Sequence, residues 1–220
     1  MELSNIALAR FNMIEQQIRP WNVLDARVLE ILSVVPREDF VPPAHRALAF
    51  ADLEIPLGHG ECMLAPRVEA RLLQDLQLQS TERVLEIGTG SGYMAALLSK
   101  QCASVLSLEI NPHLADMARV HLRGAGISNV EVRVADGAIA MVEGGLFDAI
   151  ALSGSVEQLP QHLLDRLAVG GRLIAVVGDE PIMCATLATR VGKDEMRSVK
   201  LWDTNAPRLN GFAERSHFRF

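Results

Sequence analysis

The stretch Arg83-Val84-Leu85-Glu86-Ile87-Gly88-Thr89-Gly90-Ser91-Gly92-Tyr93 decides the fold. Its first half is a short apolar run holding one carboxylate, and its second half places three glycines at alternate positions. A strand that turns through such glycines into a helix lets a ligand approach the backbone closely and presents the N–H groups of a helix start. In an open α/β sheet, ligands lie at the carboxyl ends of the strands. The stretch therefore predicts a nucleotide-like cofactor. A dinucleotide fingerprint reads G-x-G-x-x-G/A, and counted from Gly88 its last small residue would fall at Tyr93. The pattern here is E-x-G-x-G-x-G, which disfavours nicotinamide-linked redox chemistry.

Downstream, apolar runs alternate with helical stretches. The runs are Val84–Ile87, Val105–Ile110, Val130–Val134, Phe147–Leu152 and Leu173–Val177, and helices are expected to start near Tyr93, Pro112, Gly137 and Leu159. Asn111 before Pro112 is a good helix start, Gly124 and Gly126 a good stop, and Gly170 with Gly171 is expected to close the Leu159 helix. Five strands with helices between them predict a parallel sheet covered on both faces. Ala185–Val191 and Met196–Trp202 flank Gly192-Lys193-Asp194 and read as an antiparallel pair at one edge, carrying the basic residues Arg190, Lys193, Arg197 and Lys200. A solvated edge is the default reading of that charge, and a contact with an acidic peptide is the alternative.

Upstream, Ile6, Phe11, Ile14 and Ile18 follow helical spacing until Pro20. Asp25 is placed to cap a second helix carrying Val28, Leu29, Ile31 and Leu32, ending before Pro36. Ile55–Pro66 reads as an ordered loop, and Pro66 opens a helix with Val68, Leu72, Leu73 and Leu76 on one face. The chain thus divides into an N-terminal helical extension with a loop (1–82) and a core (83–220), packed as one unit. Trp21 is expected either to pin the N-terminal helices to the core or to wall a cleft.

Composition sets outer bounds. The chain has 220 residues, 49% hydrophobic, 22% charged and 5% aromatic. That is a globular composition rather than a disordered one. With 21 Lys+Arg against 27 Asp+Glu, the net charge is -6, which argues against a nucleic-acid partner. Three scattered cysteines, Cys62, Cys102 and Cys184, make no C-x-x-C pair and fit a reducing cytoplasm. No apolar run approaches the roughly 18 residues of a membrane span, and the start of the chain lacks a signal-peptide pattern. His59, Glu61 and Cys62 supply too few ligands for a metal site, and no group orients His59 for Cys62 chemistry. The other histidines, His45, His113, His121, His162 and His217, are dispersed and read as helix-surface or tail residues.

An acidic residue in the strand before the glycines resembles the first motif of class I S-adenosylmethionine-dependent methyltransferases. That cofactor has no pyrophosphate, but it carries an ammonium and a sulfonium, which carboxylates favour. The resemblance implies a Rossmann-like fold and a cofactor site at Glu86, Gly88, Thr89, Gly90, Ser91 and Gly92. Glu109, at the end of the second strand, stands where an acid binds ribose hydroxyls. Asp136, with Gly137 after it, ends the third strand, where it either accepts from the adenine amino group or simply caps the following helix.

Nearly the whole chain is similar to the protein-L-isoaspartate O-methyltransferases. The matching stretches are Val35-Pro36-Arg37-Glu38-Asp39-Phe40-Val41, Ile55-Pro56-Leu57-Gly58-His59-Gly60, the glycine stretch above, Phe147-Asp148-Ala149-Ile150 and Gly170-Gly171-Arg172-Leu173. The resemblance implies a mostly parallel seven-stranded sheet whose last strands are reordered. It also implies methyl transfer to the side-arm carboxylate of isoaspartyl residues in aged proteins, the first step of their repair. A carboxylate is already ionised at neutral pH, so the site chiefly needs to align the groups.

Two departures fall on the acceptor side. The family's P-[IL]-G-x-G-Q-T-I-S-x-P reads Pro56-Leu57-Gly58-His59-Gly60-Glu61-Cys62-Met63-Leu64-Ala65-Pro66, so the serine thought to place the acceptor falls at Leu64 and a glutamine becomes Glu61. The family's T-A-A reads Ser153-Gly154-Ser155, leaving Ser153, Ser155 and His59 as possible acceptor contacts. Met63 and Leu64 suggest a more apolar acceptor pocket. The V-P-L-like C-terminal stretch is loosely matched by Ala206-Pro207-Arg208-Leu209, and Phe218-Arg219-Phe220 receives no assignment. The alternatives are a small-molecule or different protein acceptor, and a non-catalytic cofactor-binding member. The sequence gives no reading of oligomeric state.

Overall fold

The computed structural model describes residues 2–140 and 145–213. Helix α1 (Glu2–Met13) continues through a wide turn over Ile14–Ile18 and a 3₁₀ turn over Arg19–Trp21. Pro20 therefore sits inside the last turn instead of stopping the run before it. Ile14 and Ile18 are buried, while Phe11 faces out. In α2 (Ala26–Val34), Asp25 accepts from the Arg27 N–H at 2.8 Å, the cap expected from sequence. The segment read as a loop folds into a hairpin, β1 (Ile55–Gly58) and β2 (Glu61–Met63). The three turn residues Gly58, His59 and Gly60 all have positive φ. Pro66 opens α3 (Pro66–Leu76).

The core follows as β3 (Arg83–Ile87), α4 (Tyr93–Ser99), β4 (Ser104–Glu109), α5 (Pro112–Gly124), β5 (Val130–Val134), β6 (Phe147–Val156), α6 (Gln161–Leu164), β7 (Leu167–Asp179), β8 (Ile182–Arg190) and β9 (Met196–Asp203). The sheet order is β5-β4-β3-β6-β7-β8-β9. The first five strands pair in parallel, and β8 runs antiparallel to both its neighbours. This is the mostly parallel seven-stranded sheet expected, with its last three strands in chain order. The strand order reverses between β3 and β6, on either side of the crevice that ligands use in such sheets.

Alternation along the central strands divides the interior into two layers. Val84, Ala149 and Ala151 face a large cluster that includes Met13, Ile18, Leu32, Phe40, Leu72 and Leu97. Leu85, Ile87, Ile150 and Leu152 face a thinner one with Leu163 and Leu167. The residues before Arg83 thus bury their apolar faces against the same sheet as α4 and α5.

Two helix expectations fail. At Gly137 the chain makes only a turn, with the Ala140 N–H bonded to the Asp136 carbonyl; residues 141–144 lie outside the described residues. After Leu159 the helix is four residues long, and Gly170 with Gly171 lies within β7 rather than closing it. A Cβ on Gly171 would stand 2.9 Å from the Ala168 carbonyl oxygen and 3.0 Å from that of Phe147. Close strand approach, not helix termination, places glycine there. The unassigned Phe218-Arg219-Phe220 and His217 lie outside the described residues.

Candidate functional site

At the carboxyl end of β3 the backbone turns sharply, and Gly88, Gly90 and Gly92 all adopt positive φ. All three also admit close neighbours, and a Cβ on Gly90 would stand 3.2 Å from Leu57 Cδ1. A Cβ on Gly92 would meet the Cα and Cβ of Ala118 in α5 at 3.3 and 3.2 Å, and one on Gly88 would meet Leu209 Cδ2 at 2.7 Å. Among the bonds that tie the turn down are Gly88 N–H to the Leu108 carbonyl (2.9 Å), Gly92 N–H to the Thr89 carbonyl (2.8 Å), Tyr93 N–H to Ser91 Oγ (3.3 Å) and His121 Nδ1 to the Ser91 carbonyl (2.9 Å). His121, read from sequence as a surface residue, is half-buried against Phe40.

Glu86 lies fully buried beneath the turn. Ser107 Oγ donates to its Oε2 (2.5 Å), Ser153 Oγ donates to its Oε1 (2.7 Å), and Thr89 Oγ1 supports Ser107 at 2.6 Å. Burial outweighs these donors and lifts the Glu86 carboxyl to about 8. Glu109, at the end of β4, accepts from the Gly90 N–H at Oε2 (2.8 Å) and the Asn111 N–H at Oε1 (3.0 Å). It thus joins the glycine turn to the start of α5. A carboxylate keeps further lone pairs for a hydroxyl donor. Asp136 accepts from the Ala138 N–H at 2.9 Å within the turn that stands where a helix was expected, while its oxygens lie close against Gly211.

Around the turn opens a cleft. Gly88, Gly90, Glu109, Gly137 and Ser153 line it, together with Ile87, Leu108, Ile110, Leu114 and Ala135. Its outer wall is Glu61 and Cys62 of β2 on one side and Leu209, Asn210 and Phe212 on the other. Among the described residues no lysine, arginine or histidine lines it. An acid-lined, apolar-walled cleft without cations suits a nucleoside carrying positive charge and not a pyrophosphate. Burial and the nearby Glu109 push the Glu61 carboxyl up, and burial raises the Cys62 thiol to about 11. Cys62 therefore stays a neutral thiol at physiological pH.

The expected acceptor residues scatter. Leu64 and Met63 are buried in the large core cluster, so the apolar acceptor pocket suggested by sequence is not formed by them. Ser153 reaches the cleft but spends its hydroxyl proton on Glu86. Ser155 is buried behind the C-terminal segment. His59 sits at the hairpin tip, stacked on His113 with centroids 5.3 Å apart. Trp21 packs under the Arg67 guanidinium at 4.4 Å and not in the cleft lining. In the basic hairpin, Arg190 bonds the Leu167 and Lys193 carbonyls, a fastening role.

Behind Leu64 lies a cluster that sequence reading noted only as a motif match. Arg37 is fully buried: Nε donates to the Ala49 carbonyl (3.0 Å), Nη2 to the Leu64 carbonyl (2.7 Å) and Nη1 pairs with Glu69, all over the Tyr93 ring. The V-P-R-x-x-F-V motif thereby fixes the backbone of the acceptor loop from beneath. Desolvation raises the Glu69 carboxyl despite this pairing.

Because Glu86 and Glu69 both hold their protons to higher pH when folded than when unfolded, the native state binds more protons between about pH 4.5 and 8. Stability is therefore expected to fall as pH rises through that window, by at most about 1.4 kcal/mol per pH unit per group. Urea unfolding at pH 5.5 and 8.5 checks this. A midpoint that is lower at pH 8.5, with the difference much reduced in Glu86→Gln, is the expected result; a higher midpoint at pH 8.5 refutes it.

The model of the family "Protein-L-isoaspartate(D-aspartate) O-methyltransferase (PCMT)" matches residues 9–203. A Rhodopseudomonas palustris protein-L-isoaspartate O-methyltransferase 1 is 39% identical over 96% of this chain and 86% of its own length. A Methanoculleus marisnigri protein-L-isoaspartate O-methyltransferase is 40% identical over 88% and 87%. In solved structures the same fold occurs in a Plasmodium falciparum protein titled a putative protein-L-isoaspartate O-methyltransferase, determined in complex with S-adenosyl-L-homocysteine. There the TM-score is 0.79 at 22% identity, over 90% of this chain and 97% of that one.

Proposed function

This chain belongs to the protein-L-isoaspartate(D-aspartate) O-methyltransferase family, and on that premise we infer that it is an S-adenosylmethionine-dependent carboxyl O-methyltransferase acting on isoaspartyl residues of proteins. The observation that carries the cofactor half is the cleft itself: a positive-φ glycine turn, Glu109 bound to it, and acid lining without a cation. Gly88, Gly90 and Glu109 would hold the cofactor directly, with Asp136 and Gly137 at the adenine end. Thr89, Ser91 and Gly92 would shape the turn, and Glu86 would act from below. When bound, S-adenosylmethionine supplies an electrophilic methyl on a positively charged sulfur.

The chain's own contribution is placement. An acceptor carboxylate is ionised at neutral pH and needs no general base, and among the described residues no histidine stands in the cleft lining. Arg37 sets the position of the acceptor loop through the Leu64 carbonyl, and Ile87, Leu108, Ile110 and Leu114 wall the cleft. Among the described residues no helix is long and apolar enough to cross a membrane, and we place the protein in the cytoplasm.

A second reading keeps the cofactor and changes the acceptor. It is favoured by Leu64, which lies in the core and offers no hydroxyl where the family has serine. The two readings share one test of reaction type. Folded protein supplied with methyl-labelled cofactor and aged peptide is expected to form product that releases volatile methanol at high pH, the mark of a carboxyl ester. Label that survives base on the peptide would mean transfer to nitrogen, and would overturn the carboxyl assignment.

A further inference from the structure

The two departures that look damaging in the sequence meet the same object. The segment Ala206–Phe212 crosses the mouth of the cofactor cleft. On its inner side it is fastened by backbone bonds to β6: the Ser155 N–H donates to the Pro207 carbonyl (2.7 Å), and the Leu209 N–H donates to the Ser155 carbonyl (2.9 Å). Leu209 lies over both Gly88 and Gly154. A Cβ on Gly154 would stand 2.8 Å from the Leu209 side chain and 3.0 Å from the Pro207 carbonyl oxygen. Gly154 has no positive φ, so its need for glycine comes from the segment pressed against it and not from its own backbone. Glycine replaces the family's alanine where the segment needs room. At the outer edge, Asn210 Nδ2 donates to Glu61 Oε1, joining positions 149 apart in the chain. Glu61 is the other departure, a carboxylate in place of the family's glutamine.

We propose that Glu61 and Asn210 form a latch that holds the Ala206–Phe212 segment closed over the cofactor cleft, with Gly154 supplying the seat for Leu209. The latch spans from the β1–β2 hairpin to the C-terminal segment, so opening the mouth requires breaking it. Glu61 is then a positioning residue that retains the cofactor, and its charge is met by an amide donor instead of facing the acceptor unpaired. A hydrogen bond to a carboxylate at a partly exposed position accounts for a modest gain in retention. The proposal rests on the cofactor reading above.

The test is the release rate of S-adenosyl-L-homocysteine from the full chain in stopped flow, with amide hydrogen exchange at Leu209 read in parallel. Glu61→Ala and Asn210→Ala are each expected to speed release roughly 3–10-fold, and the double variant no more than either alone. Glu61→Gln keeps an acceptor oxygen and is expected to stay within about twofold of the parent. Gly154→Ala is expected to speed both release and Leu209 exchange, because it pushes the seat apart. Single-variant effects that multiply in the double variant, or unchanged release and exchange in all of them, overturn the latch. If the parent binds no S-adenosyl-L-homocysteine, the cofactor reading fails instead, and Leu209 exchange alone then decides the latch: faster in Asn210→Ala supports it, unchanged refutes it.

Discussion

Glu109→Gln is expected to bind S-adenosylmethionine about 100-fold more weakly than the parent in calorimetric titration, nearly as weakly as Glu109→Ala. The two Glu109 oxygens each accept a backbone N–H, one from Gly90 in the glycine turn and one from Asn111 at the start of α5. A carboxylate can satisfy both donors and still receive a ribose hydroxyl. An amide has one oxygen and one NH₂, so one backbone N–H of this part-buried pair would face another donor. Leaving such a group unsatisfied costs about 1–3 kcal/mol, and 2.7 kcal/mol is about two decades of affinity. Glutamine is nearly isosteric with glutamate, so the loss would report acceptor count and charge rather than shape. Affinity within threefold of the parent in Glu109→Gln would show that neither the paired turn nor the acid matters for binding.

The second large effect is on stability. Arg37→Met is expected to destabilise the fold by about 3–5 kcal/mol, the usual cost of breaking a buried ion pair from one side. Glu69, 3% exposed, loses its partner, and the carbonyls of Ala49 and Leu64 lose their donors. Once Glu69 stands alone its carboxyl is pushed further up, so the loss should grow as pH rises. Replacing both charges, in Arg37→Met/Glu69→Leu, is expected to recover much of it, because apolar side chains of similar volume often match a buried pair. Urea denaturation of the three proteins at pH 7 is the measurement. A single variant less than about 1 kcal/mol below the parent would mean that water reaches this cluster and that Arg37 does not fix the acceptor loop.

The parts of this molecule set by local chemistry were legible before its structure. Strands buried on both faces must be continuous apolar runs, so the cores of β3 to β7 stood out, and Asp25 and Asn111 cap α2 and α5 as their side chains dictate. The place of Glu109 beside the glycine turn was legible because it ends the strand next to that turn. Illegible were the features made by distant pairs. Gly170 and Gly171 read as a helix stop because the carbonyls that crowd Gly171 come partly from Phe147 and Asp148 in the neighbouring strand. Met63 and Leu64 read as pocket lining because nothing local shows that both turn into the core. The segment at 206–212 carries no periodicity, and its meaning depends on Gly88, Ser155 and Glu61, each more than 50 positions away. A glycine at 154 without positive φ was the one local trace of it, visible only once the backbone was known.

Isoaspartyl carboxyl methylation here falls to a cleft whose acceptor loop carries Leu64 in place of serine. The measurement that meets it most directly is mass-resolved methyl transfer from S-adenosylmethionine to a synthetic isoaspartyl peptide and, side by side, to its ordinary aspartyl twin. The expected result is a gain of one methyl group, replacing one proton, on the isoaspartyl peptide alone. Equal methylation of both peptides, or none of either by protein that binds the cofactor, would contradict it and leave the acceptor to be found elsewhere.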